Sequence, residues 1–298
     1  MLSLNQLRAF LEVAQRGSVA GAADALIVSQ PAVSAALAAL GREVGARLVE
    51  RDGRKLRLTP AGRSLETYGR RIFALIDDAR RSARELDAAA ARHFAIAAVT
   101  TAAEFLVPDL LQRFLDRQAG VDVELDVGNH THVWDRLRRW EADVVIAGRP
   151  PAEHPFRTLA TRKHEMIVIG PPRSANENVD LARATWLVRE PGSGTRAVTE
   201  ECFAALGIDP PQLTITSNGA IGACVRAGLG FSIVSRDGFR EELRDGSVVH
   251  IPTPITPLDR RWHLVAASDR ELRDVVREFI DFAIHAGGFE ATQVPLPA

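Results

Sequence analysis

The chain has 298 residues, 46% hydrophobic and 25% charged, with a net charge of −1 and two cysteines, Cys202 and Cys224. That length suits two domains, the composition is that of a folded protein, and two cysteines exclude a disulfide-built secreted scaffold. No stretch approaches the ~18 consecutive apolar residues of a membrane span, and the N-terminus lacks a secretion-signal pattern, so a reduced, cytoplasmic protein with no membrane partner is expected.

Charge is uneven along the chain. Residues 1–71 hold 11 Lys or Arg against 6 Asp or Glu, a net of +5, which leaves −6 for residues 72–298. A basic head on an acidic body points to nucleic acid at one end. In that head, Asn5 is placed to cap a helix whose Leu7, Phe10, Leu11 and Ala14 form one stripe, ending at Gly17. Residues 18–40 then read as two short helices joined by a tight turn at Ile27–Val28. Ser29 caps the second helix, Pro31 sits in its first turn, and Val33, Leu37, Leu40 and Val44 face a core. The opposite face is Pro31, Ala35, Ala38 and Arg42 with Ser34 beside them. A solvated helix puts charges there; small residues with a hydroxyl near the N-terminus suit a major groove, and high helix propensity of alanine is the plainer alternative. Asp52-Gly53 is a hairpin signal, and Leu56 and Leu58 alternate with Lys55 and Arg57. A basic hairpin after a helix-turn-helix is a wing. Residues 1–59 are therefore expected to bind double-stranded promoter DNA through Ser29, Gln30, Pro31, Ser34 and Ala35, with Arg51, Arg54 and Lys55 on phosphates or the minor groove.

Thr59 and Pro60 open a long helix over residues 60–90. Leu65, Ile72, Ala79 and Leu86 are seven apart, and Tyr68, Leu75 and Ser82 fill the second seam position. Leu65, Tyr68, Ile72, Leu75 and Leu86 are the expected dimerisation residues; the alternative is a helix lying on its own domain.

From Phe94 the pattern becomes strand–helix alternation, with strands at 94–99, 121–127, 143–148, 166–170, 186–188, 213–216, 231–235 and 263–267 and helices at 104–118, 133–140, 195–206, 219–228 and 270–285. The expected fold is an α/β region of two Rossmann-like lobes behind an all-α winged helix-turn-helix and its linker helix. The lobes cover 93–163 with 268–298, and 164–267, with crossings near Arg162–Met166 and Ala267–Arg270. That arrangement resembles periplasmic solute-binding proteins. Ligand sites of such sheets lie where strands end and helices begin. The candidates are Thr100, Thr101, Asn129, His130, Thr131, Arg149, Ser193, Thr195, Arg196 and Asn218, whose hydroxyls, inward-turned backbone N–H groups and guanidinium suit a small anionic metabolite. Each Ser, Thr or Asn could instead only cap its own helix. Neither a Ser–His–Asp set nor metal-ligand spacing occurs, so no catalysis, metal or cofactor is expected, and His130 and His132 read as hydrogen bonders. Two alternatives remain: an enzyme with an accessory DNA-binding domain, and a thiol switch at Cys202 and Cys224, which otherwise read as small buried hydrophobes.

Leu7-Arg8-Ala9-Phe10, Gly17-Ser18, Ala22-Ala23, Ser29-Gln30-Pro31-Ala32-Val33-Ser34, Arg51 and Leu58-Thr59-Pro60-Ala61-Gly62 carry a resemblance to LysR-type transcriptional regulators. Ala35-Ala36 stands where a polar or basic pair often follows the serine, and Val49 where phenylalanine is common. The resemblance implies linker helices paired antiparallel in a homodimer or homotetramer, effector-dependent DNA bending and contact with RNA polymerase. Gly148-Arg149-Pro150-Pro151, residues 189–196, Ser217-Asn218 and Ala227-Gly228-Leu229-Gly230 look like the regulators of carbon-fixation operons, the CbbR type, which implies a phosphorylated or otherwise anionic effector.

Overall fold

The computed structural model describes residues 2–52, 55–84, 92–176 and 179–292. It divides into two compact units, residues 1–91 with 138–141, and residues 92–137 with 142–298.

The first unit is built on three helices: α1 (Leu4–Arg16), α2 (Val19–Leu26) and α3 (Gln30–Val44). Ser3, not Asn5, caps α1: its hydroxyl accepts from the Gln6 N–H at 3.2 Å while the Gln6 side chain accepts from the Ser3 N–H at 3.0 Å. This reciprocal box satisfies two helix-end donors, which Asn5, one residue inside the helix, cannot do. Ser18 and Ser29 cap α2 and α3 through Gly21 and Ala32. Ile27 closes α2 in the left-handed region at φ 55°, an unusual conformation for a β-branched residue, and is 92% exposed. Leu7, Phe10, Val13, Val33 and Leu40 are buried, as their helical spacing requires. Val44 is exposed instead, in the last turn before Gly45 ends α3.

Strands β1 (Val49–Asp52) and β2 (Lys55–Leu58) pair antiparallel, Asp52 opposite Lys55, as the wing. Thr59 then donates to the Arg47 carbonyl at 2.6 Å and accepts from the Gly62 N–H at 3.0 Å, which opens α4 (Pro60–Arg84). At Gly62 the helix passes so close to the wing's base that a Cβ would stand 2.0 Å from the Leu48 carbonyl oxygen. The expected seam of α4 divides in two. Leu65, half-buried, packs with Phe73 against Leu7, Phe10, Leu40 and Leu48 of its own unit, so part of its side chain is already covered there. Tyr68, Ile72 and Leu75 stay exposed, at 60%, 37% and 52%. Leu86 lies outside the described residues.

The second unit follows as β3 (His93–Val99), α5 (Thr100–Phe105), α6 (Val107–Leu115), β4 (Asp122–Gly128), α7 (His130–Arg138), β5 (Val144–Ala147) and β6 (Phe156–Gly170). Then come β7 (Trp186–Val188), α8 (Gly194–Leu206), β8 (Gln212–Thr214), α9 (Asn218–Arg226), β9 (Ser232–Ser235), α10 (Arg240–Asp245), β10 (Val249–Ile251), β11 (Leu258–Ala267), α11 (Asp274–His285) and β12 (Glu290–Ala291). The single helix expected at 104–118 is two, α5 and α6, broken at Leu106. Pro108 has no N–H to continue the ladder, and its ring crowds the preceding turn. Thr100 and Thr101 therefore start a helix and do not sit in a loop.

One sheet runs β10-β6-β11-β5-β3-β4, with β9 and β12 also on β6; β7 and β8 pair apart from it. Fifteen-residue β6 and ten-residue β11 are antiparallel and serve two separate cores. The first lobe's core gathers Phe94, Ile96, Phe114, Leu264 and Phe279, with Phe94 5.2 Å from Phe279. The second lobe packs Met166, Val168, Trp186 and Phe203 on one face and Ile167, Ile169, Ile221 and Val225 on the other, the period-two alternation of a strand buried on both sides. Trp262, Leu264 and Ala266 already belong to the first core, so the return crossing lies inside β11 and ahead of the expected 267–270.

Candidate functional site

In the first unit, α3 presents Gln30, Pro31, Ser34, Ala35, Ala38 and Arg42 to solvent on the side away from Val33 and Leu40. Ser29 is also exposed, but its hydroxyl is engaged in the cap. Arg51 stands exposed on the wing. Arg54 and the Lys55 side chain lie outside the described residues. A 15-residue helix whose exposed face is small and uncharged up to Arg42 in its last turn, followed by a wing carrying exposed Arg51, has the shape of a groove reader.

In the second unit, a cleft of about 670 Å³ opens between the lobes. Thr100, Thr101, Asn129, His130, Arg149, Ser193 and Thr195 all line it. All but Arg149, which follows β5, arrive at the starts of α5, α7 and α8, so three helix N-termini border one cavity and favour negative charge there. Ligand and cap roles separate residue by residue. Asn129 caps α7, accepting from the His132 N–H at 3.0 Å. Ser193 starts α8 without a side-chain cap bond, so its hydroxyl is not spent on the helix. The Thr100 hydroxyl makes one long bond, 3.4 Å, to the Gly128 carbonyl.

Three expected ligand residues stand elsewhere. Thr131 and Arg196 border a neighbouring cavity of about 360 Å³. The Arg196 guanidinium is occupied, donating to Glu200 at 2.7 Å and to the Arg189 carbonyl at 3.0 Å, because one turn of α8 brings Glu200 beside it. Asn218 is 3% exposed and bonded on several sides within the protein.

Besides the expected Arg149, the cleft's charge comes from residues that sequence patterning missed: Lys163 and His164 on β6, Arg189 after β7, Glu201 on α8, and Asp259, Arg260, Arg261 and His263 on β11, with Trp262 beside them. Five cationic side chains (Arg149, Lys163, Arg189, Arg260, Arg261) face two carboxylates (Glu201, Asp259), so the cleft is net positive. Arg189 is neutralised: it holds Glu190 at 2.8 and 2.9 Å and Asn218 at 2.7 Å. Burial pushes the Glu190 carboxyl up, but the Arg189 hydrogen bonds outweigh it and leave Glu190 below its ordinary range. Arg260 pairs with Glu201 and Arg261 with Glu290. Arg149 and Lys163, both exposed, have no ion-pair partner among the described residues.

Burial disfavours the charged form of two cleft histidines, His164 and His263. His164 is buried, stacks on Trp262 with centroids 4.1 Å apart, and is lowered to about 4 by burial; Asp237 opposes this shift, and Arg260 and Arg162 add to it. Burial, helped by Arg149 and Arg261, also lowers His263, whose Nδ1 is buried without a hydrogen-bond partner. His130 Nε2 accepts from the Trp134 indole N–H at 2.9 Å, which assigns its proton to Nδ1. Among the described residues no group of three or more His, Cys, Asp or Glu is placed to hold a metal ion. The Cys202 thiol is buried and pushed up by that burial, the reverse of what a thiolate sensor needs.

Comparison with known proteins assigns a family domain to each unit. Residues 4–63 match the model of bacterial regulatory helix-turn-helix proteins of the lysR family, and residues 87–287 match the LysR substrate binding domain. The chain is 32% identical to the HTH-type transcriptional regulator CbbR of Xanthobacter flavus, over 98% of this chain and 90% of that protein. It is also 32% identical to the RuBisCO operon transcriptional regulator of Allochromatium vinosum, over 95% of this chain and 96% of that one. The regulatory domain of Synechocystis PCC6803 CcmR in complex with 2-PG is 27% identical with a TM-score of 0.59, covering 64% of this chain and 94% of that domain. The chain belongs to the LysR family of DNA-binding transcriptional regulators, with an N-terminal helix-turn-helix head and a C-terminal effector-binding domain.

Proposed function

We propose that this regulator controls a carbon-fixation operon in response to a small anionic metabolite held in the interlobe cleft. The observation that carries the reading is the cleft's excess of cations, two of them unpaired, beside three helix N-termini. The 2-PG held by the related regulatory domain is an anion that such a cleft would suit. The ligand's oxygens meet the hydroxyls and N–H groups of Thr100, Ser193 and Thr195, and Arg149 and Lys163 supply counter-charge. No bond is made or broken.

The exposed stripe Tyr68, Ile72 and Leu75 supports pairing of α4 with its counterpart in a second chain, giving the two-fold that a groove-reading head needs for a palindromic operator. Homodimers or homotetramers then present two α3 helices to successive major grooves, and RNA polymerase reads the result in the cytoplasm. No single helix among the described residues is long and apolar enough to cross a membrane. Ile72→Asp should yield smaller species in sedimentation, whereas an unchanged coefficient would place the stripe within one chain.

The ligand reading is tested by thermal melting of the full chain across 2-PG, other phosphorylated acids and uncharged analogues. An authentic effector at about 100 times its Kd stabilises by about 2.7 kcal/mol. Stabilisation by uncharged compounds alone would refute the anion reading.

A further inference from the structure

Away from the shared strands, the two lobes are bonded at two places: the His130 N–H donates to the Gly192 carbonyl at 3.2 Å, and side chains of the second lobe meet the short helix α5. Thr101, Glu104 and Phe105 are three and four residues apart and share one face of that helix. Asn218, at the start of α9 in the second lobe, donates through Nδ2 to the Glu104 carboxylate at 2.8 Å and to Thr101 Oγ1 at 3.3 Å. Its Oδ1 accepts from Arg189 at 2.7 Å. The chemistry fixes the orientation of the amide, because the reverse would set N–H groups against a guanidinium and an oxygen against a carboxylate. The Phe105 ring lies 6.2 Å from Phe239, a core residue of the second lobe, and a Cβ on Gly238 would stand 2.4 Å from it. A hydrogen-bonded amide and a ring seated against a glycine thus meet the same face of α5.

We propose that Asn218 is an interlobe clasp, a positioning residue that sets the width of the cleft by tying Arg189 of the second lobe to α5 of the first, and does not itself contact the ligand. Both donors and the oxygen of its amide are used within the protein, and only 3% of the residue is exposed. Arg189 acts through it: the guanidinium is held flat by Glu190 and presents one arm to the clasp. Glu104, which no sequence pattern singled out, is the exposed end of the chain Glu190–Arg189–Asn218–Glu104.

The test reads lobe spacing without ligand, so its outcome does not depend on the anion reading. Spin labels go on Gln112→Cys in the first lobe and Ala205→Cys in the second, in a Cys202→Ala, Cys224→Ala background. Labelled full-length chain is diluted with unlabelled chain, and pulsed electron–electron distances are measured. Asn218→Asp sets a second carboxylate against Glu104 while keeping the acceptor for Arg189. It should shift the distribution by more than about 2 Å. Adding Glu104→Gln, whose amide can donate to the new carboxylate, should restore the parent distance. An unshifted Asn218→Asp distribution, or a shift that Glu104→Gln leaves in place, would overturn the clasp. Should Asn218→Asp fail to fold, exposed Glu104→Ala takes its place: a lengthened distance supports the proposal and an unchanged one overturns it.

Discussion

The head and the effector unit hold their functional residues by different means. In the head, each helix is fixed by a serine or threonine cap a few residues from the groups it serves: Ser3 for α1, Ser18 for α2, Ser29 for α3 and Thr59 for α4. The solvent-exposed face of α3 follows from helical period alone. In the effector unit, Lys163 lies opposite Arg261 across the β6–β11 ladder, and the cleft's charge exists only when that register forms. Like charges directly opposite cost stability, and Arg261 offsets the cost by bonding Thr161 and Glu290. A surface that must fit a regular duplex is built from local rules; a cleft that must fit one small molecule is built from long-range pairing.

Breaking the head alone gives the largest expected effect. Gly62→Ala drives a Cβ into the Leu48 carbonyl and should cost the head about 3 kcal/mol or more, abolishing DNA binding while the effector unit keeps its own melting transition. A single unaltered transition with operator affinity retained would show that α4 and the wing can part without harm.

Acid tests the other unit. The folded-state value of His164 is about 4 against 6.5 unfolded, so the unfolded chain binds the extra proton between those values. Stability is then full above about pH 6.5 and falls as the pH drops toward 4, by at most roughly 3 kcal/mol from this residue. His263 and His250, also lowered, act in the same direction. Denaturant midpoints at pH 7.5 and 4.5 should show the loss, and His164→Phe, which keeps a ring over Trp262, should remove most of it. Equal pH slopes for both proteins would mean that His164 is accessible to protons in the fold.

These contrasts explain what the sequence disclosed. Ser29, Pro31 and the wing were legible because caps, turns and period are local signals, and Thr100, Ser193 and Thr195 because helix starts are. Lys163, His164 and Arg260 were not, since sequence patterning begins these strands only at 166 and 263, and the charged stretches before them join β6 and β11 only through their long antiparallel pairing. Arg196 misled for a local reason, a carboxylate one turn away at Glu200. Leu65 misled for a tertiary one, since heptad spacing cannot say which positions the head itself covers.

The smallest effect sharpens the view of the head. Ile27→Asn relieves a left-handed β-branched residue that makes little buried contact, and should stabilise by up to about 1 kcal/mol with operator preference unchanged. A loss of operator affinity in this variant would make Ile27 part of the DNA interface.

The central claim, an anion held by unpaired cations in the cleft, is tested most directly by calorimetric titration of 2-PG into the full chain and into the Arg149→Met, Lys163→Met double variant. Both substitutions are at exposed positions, so melting temperatures should match. The account predicts 2-PG binding to the parent that weakens with added salt, and binding at least about tenfold weaker in the variant, a difference of about 1.4 kcal/mol. Equal affinity in the two proteins, or binding indifferent to salt, would contradict it.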